Sequence, residues 1–203
     1  MEGSMKTIIV SVLLALGAGS LAGEPAHAQA NVALGAPTSP PIGWVQFCQD
    51  NAGECVSRTM APATITLTET SWRRIVKINA DVNKEIHAIT DQEHWGAPEV
   101  WSYPNDGKGD CEDYVLEKRR RLVEAGFPLN ALLITVVRDL KGDGHAVLTV
   151  KTDRGDFVLD NQAGKIVAWK ETGYRFIKRQ SDENPMRWVS LGGIDTRTVA
   201  AQR

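Results

Sequence analysis

The stretch Leu132–Asp160, LLITVVRDLKGDGHAVLTVKTDRGDFVLD, decides the fold. Three short runs rich in β-branched residues, LLITVVR, HAVLTVK and DFVLD, are split by the turn signals Lys141-Gly142-Asp143-Gly144 and Asp153-Arg154-Gly155. Such short turns join antiparallel neighbours, because a parallel pair needs a crossover of about a dozen residues or more. Ile166–Trp169, Tyr174–Arg179 and Arg187–Ser190 continue the strand pattern downstream.

Upstream the period is helical. Thr70-Ser71 offers an N-cap, and Trp72, Ile75, Val76, Asn79, Val82, Asn83 and Ile86 follow at helical spacing. Asn79 and Asn83 interrupt that apolar stripe, either as exposed residues or as hydrogen-bond donors to a neighbouring loop. A second helix runs from Asp110 to Ala125 and is closed by Gly126 and Pro128. Its Tyr114, Val115, Leu122 and Val123 point inward, while Glu117, Lys118, Arg119, Arg120 and Arg121 read as a solvated face. Between the helices, residues 91–109 read as a Gly- and Pro-rich loop pinned by Trp95 and Trp101. Helices first and an antiparallel meander after them predict an α+β fold, with N-terminal helices packed on an antiparallel sheet.

The whole chain sets outer limits. At 203 residues, 42% hydrophobic and 24% charged, it holds one domain with a core and is too polar for a polytopic membrane protein. A net charge of -2 without a long basic run argues against a nucleic-acid partner. The apolar run IIVSVLLALGAGSLA at 8–22, behind Lys6 and before Ala26 and Ala28, predicts a signal peptide over 1–28. It is short for a helix of ~20 residues across a bilayer, so a periplasmic or secreted chain without stable membrane insertion is expected. Residues 29–43 read as a flexible lead-in and 44–203 as a single domain.

The chain has three cysteines. Cys48 and Cys55 suit a small disulfide loop in an oxidising compartment, with two separate thiols as the alternative. Cys111 follows the Gly-rich approach Gly107-Lys108-Gly109-Asp110 and opens a helix, where free N–H groups and the dipole favour a thiolate and an oxyanion. His145 opens one predicted strand and Asp160 closes its neighbour. Side by side, His145 would take the thiol proton and Asp160 would hold the other ring nitrogen. A zinc site from Cys111, His145 and Asp160 would lack a fourth ligand. Asp81, Asn83 and Glu85 do not make an EF-hand, because Ile86 stands where the loop needs Gly. The acidic residues around the thiol admit two compatible readings. Asp110 is an N-cap with Glu112 and Asp113 complementing the dipole, or the three carboxylates hold a hard cation such as calcium.

The segments Trp95-Gly96, Gly109-Asp110-Cys111-Glu112-Asp113-Tyr114, Gly144-His145-Ala146-Val147 and Leu159-Asp160-Asn161, with Phe47-Cys48 and Cys55, resemble the bacterial transglutaminase-like cysteine peptidases. The resemblance spans roughly residues 40–192. It implies a papain-like or transglutaminase-like core, a protein or peptide substrate, and Cys111, His145 and Asp160 as nucleophile, base and orienting acid. It also implies calcium ligation by Asp110, Glu112 and Asp113, with Asn130 added by analogy, and no organic cofactor. A same-fold acyltransferase and a non-catalytic, calcium-stabilised binding module are the alternatives. Either Trp95 or Trp101 could donate an indole N–H to the oxyanion.

Overall fold

The computed structural model describes residues 31–192; the signal segment 1–28 lies outside the described residues. Its main sheet has seven antiparallel strands in the order β1-β9-β8-β4-β5-β6-β7. In chain order these are β1 (Leu34–Thr38), β4 (Leu132–Arg138), β5 (Gly144–Thr152), β6 (Gly155–Leu159), β7 (Val167–Ala168), β8 (Arg175–Gln180) and β9 (Trp188–Leu191). A parallel ribbon of β2 (His87–Ala88) and β3 (Lys108–Gly109) stands apart from it. The helices are α1 (Ile42–Asp50), α2 (Glu69–Glu85), α3 (Asp91–Trp95) and α4 (Cys111–Glu124). The α+β expectation holds, and β4, β5 and β6 form the predicted meander.

Ile134, Leu148 and Leu159 look from the sheet onto Val115, Leu116 and Leu122 of α4 and Trp44 and Phe47 of α1. The opposite face is also covered, by a smaller cluster of Val137, Val147, Val158 and Phe176 with Trp169 and Tyr174 packed on it. A strand buried on both faces carries an almost continuous apolar run, as β5 does.

Four expectations need correction. The segment 29–43 is not a lead-in throughout, because Leu34–Thr38 pairs with β9 as the sheet's edge and α1 begins at Ile42. Pro37 is tolerated because an edge strand has an unpaired side. Gly35 makes room for Ser190, whose Oγ would lie 2.3 Å from a Cβ there and would have to turn away. The N-cap of α2 is Thr68, which forms a capping box with Ser71. The loop 91–109 contains α3 and β3, and Trp95 is half exposed while Trp101 packs edge-on against Trp44.

The fourth correction concerns α4. Glu117, Lys118 and Arg119 are buried rather than solvated, and Val76 and Val123 are exposed. The helix lies between the sheet, α2 and the disulfide turn, so charges that a lone helix would turn to water meet protein instead. Glu117 binds Arg120 and Arg121, and Arg119 reaches Glu54 at 3.5 Å and lies over the Trp44 ring.

Candidate active site

The turn Asp139–Asp143 and the end of β6 bring His145 and Asp160 to one end of the sheet, where α4 begins. His145 Nε2 lies 2.8 Å from Asp160 Oδ1, and both residues are buried. That contact is a ring N–H donating to a carboxylate, which leaves Nδ1 with its lone pair toward the cleft. Gln162 Nε2 is 3.4 Å from Nδ1. Asp160 stays below the usual carboxylate range: burial raises it, but donors from His145, the Gln162 N–H and the Tyr174 hydroxyl outweigh that. Asn83, one of the two asparagines in the α2 stripe, donates to the Asp160 carbonyl at 2.8 Å. It is therefore a clamp on the site.

Cys111 is the first residue of α4 and the free thiol among the described residues, Cys48 and Cys55 being joined. As the first helical residue it has an N–H without an intrahelical partner. Cys111 and His145 line the same cleft of about 270 Å³, together with Ala88, Thr90, Glu93 and Gln162. The sulfur donates to Glu112 Oε2 at 3.1 Å. Burial first, then the Glu112 charge and that bond, push the thiol well above its ordinary value, and the Ala146 N–H opposes them. Trp101 packs in the core and its indole N–H meets Glu99, so it is not aimed at an oxyanion.

Asp110 occupies the N-cap position but makes no side-chain cap bond. Its Oδ1 and Asp113 Oδ2 are buried without partners. Carboxylate oxygens of Asp91, Asp110 and Asp113 lie within 4.8 Å of one another, as do ligand atoms of Asp110, Cys111 and Glu112. Burial and the neighbouring Asp110 push Glu112 up to about 9. Burial also pushes Asp113 up to about 7, against the Ser102 N–H that binds its Oδ1. Crowded, buried oxygens with unused lone pairs fit a hard divalent cation. Gly109 is part of the cradle, since a Cβ there would meet Asp113 Oδ2 at 2.5 Å.

Asp91 escaped the sequence reading because it stands in the stretch taken as loop; the capping box Thr90–Glu93 around it was a legible signal. Asn130 does not join the cluster. It lies beyond the C-terminal end of α4, about 20 Å of helix from Asp110, and its amide donates to the Ala61 carbonyl.

With that geometry in view, the family model for the bacterial transglutaminase-like cysteine proteinases (BTLCP) matches residues 34–196. The chain belongs to this family. It is a transglutaminase-like cysteine peptidase, and its mixed helices and antiparallel sheet are the family's core. The match begins at Leu34, the first residue of the unexpected edge strand. Among solved structures, LapG of Legionella pneumophila matches with 26% identity and a TM-score of 0.51, covering 64% of this chain and 74% of LapG. Its calcium-bound form matches at 24% identity, TM-score 0.51, covering 62% and 73%. Its EGTA-treated form matches at 26% identity, TM-score 0.51, covering 64% and 74%. Comparison with curated protein sequences gives no match.

Proposed function

We propose that this peptidase is exported and hydrolyses a peptide bond of a protein substrate through Cys111, His145 and Asp160, with a calcium ion held beside the thiol. The observation that carries the reading is the buried His145–Asp160 pair in the wall of a cleft that also holds a helix-opening cysteine. In the reaction, Cys111 Sγ attacks the carbonyl carbon and its proton passes to His145 Nδ1. The Cys111 N–H helps carry the oxyanion. As the C–N bond breaks, the imidazolium gives its proton to the leaving amine. Water then attacks the thioester, loses a proton to Nδ1, and releases acid and thiol. Asp160 remains ionised throughout and holds the imidazole by Nε2.

Asp91, Asp110, Glu112 and Asp113 are the residues that would hold calcium. When bound, the ion supplies positive charge that offsets these carboxylates and favours the thiolate. The calcium-bound and EGTA-treated LapG structures support this reading. Export is supported by the apolar run at 8–22 and by the disulfide. Among the described residues no helix is long and apolar enough to cross a membrane.

The test is a peptide library digested by wild type and by Cys111→Ala, read by mass spectrometry with and without calcium. Cleavage that vanishes in the variant supports the mechanism, and cleavage that persists refutes it. An added amine distinguishes acyl transfer, which would appear as a mass-shifted product.

A further inference from the structure

The His145–Asp160 network also includes Tyr174, at the entrance to β8. We infer that Tyr174 is a positioning residue, whose hydroxyl fixes the Asp160 carboxylate and through it the imidazole of His145. This rests on the Cys-His-Asp reading above.

The Tyr174 hydroxyl donates to Asp160 Oδ2 at 2.7 Å. Oδ1 is occupied separately, by His145 Nε2 at 2.8 Å and the Gln162 N–H at 2.9 Å. Each carboxylate oxygen therefore has its own donors, and rotation of the carboxylate would break bonds on both sides. The Tyr174 ring also stands edge-on to the imidazole, with centroids 5.9 Å apart and planes at 88°. Tyrosine thus touches both partners of the pair, with the hydroxyl on one and the ring on the other.

The tyrosine is itself held. Its backbone N–H donates to Thr172 Oγ1 at 3.1 Å, and the Thr172 hydroxyl donates to the Trp169 carbonyl at 2.7 Å. Gly173 between them has φ +70, and a Cβ there would be strained and 3.0 Å from Leu140 Cδ2. Burial and the neighbouring Asp160 charge push the phenol above its ordinary value, so it stays a donor wherever the enzyme works. A hydroxyl confined to packing would have no need to meet the one carboxylate oxygen that His145 leaves free.

A donor on Oδ2 withdraws charge from Oδ1. Without it, the His145 N–H faces a more basic but less anchored oxygen. Tyr174→Phe keeps the ring and removes only this bond. The expected result is a loss of about tenfold in kcat with KM nearly unchanged, since a hydrogen bond to a charged group has about that effect. The melting temperature should fall by a few degrees, since the folded state loses the same bond. The readout that packing alone would not move is the downfield proton NMR resonance of His145 Nε2–H, assigned by its disappearance in His145→Gln. In Tyr174→Phe it should shift further downfield, as its bond to Asp160 strengthens. Thr172→Ala, which frees the tyrosine backbone, should lower kcat in the same sense and serves if the Phe variant melts early. An unmoved resonance with wild-type kcat in both variants overturns the proposal. Activity retained in Cys111→Ala would instead overturn the triad reading, and leaves the NMR result to judge Tyr174 on its own.

Discussion

Replacing Lys118 with Met should stabilise this protein at neutral pH and lose that advantage in base. Lys118 is fully buried on α4, and its ammonium has no hydrogen-bond partner. Burial lowers it from 10.5 to about 7, with only the more distant Asp160 charge opposing. In the unfolded chain the amine titrates at its ordinary value. Between pH 7 and 10.5 the unfolded state thus binds more protons, and folding stability rises with pH. At pH 6 the buried charge costs about 5 kcal/mol, and at pH 10 the same linkage leaves about 1 kcal/mol. The Tyr114 ring, 5.8 Å from Nζ, returns roughly 1 kcal/mol of this through a cation–π contact. Methionine matches the stem in length and carries no charge. Urea melts of both proteins at pH 6, 8 and 10 should show a Met advantage of about 4 kcal/mol at pH 6 that shrinks to about 1 kcal/mol at pH 10. A gap that does not change with pH, or a variant less stable at pH 6, would refute the reasoning and mean that the ammonium is paired in solution.

Cys111→Ser should lower peptide cleavage by at least about a thousandfold, since the alkoxide is far harder to form, with an unchanged melting temperature. Asp113→Asn keeps an oxygen for the Ser102 N–H and removes a buried charge. Its melting temperature in EGTA should therefore exceed wild type above pH 7, while the upward shift expected of wild type on adding calcium should be lost. An equal calcium shift in both proteins counts against the cation site. Replacing Cys48 and Cys55 by Ala opens a short loop under α4 and should cost about 2.5 kcal/mol in a denaturant melt. A cost near zero would show that the α1 contacts hold this corner without the bridge.

Local pattern carried much of the molecule. The meander of β4, β5 and β6 was legible because each run is β-branched and each turn carries its glycine. Helix α4 was legible to within a residue because Gly126 and Pro128 end it. The strand β1 was not, because LGAPT has no alternation and an edge strand can be held by backbone bonds alone. The buried Lys118 and Arg119 were misread for a different reason: the periodicity of one helix gives its apolar side but not how many neighbours surround it.

By itself the sequence determined the two long helices and the strands that follow them, the placement of Cys111 at a helix start, and which three side chains were candidates for chemistry. These are properties of short windows, set by backbone propensity and capping. Only the tertiary structure decided which groups meet. It brought Asp91 to Asp110 and Asp113, turned the Cys111 sulfur onto Glu112, and gave Asp160 its donors from Asn83 and Tyr174. It also left Asn130 at the far end of α4. Such contacts join segments distant in the chain, and their strength comes from burial, which no local window contains.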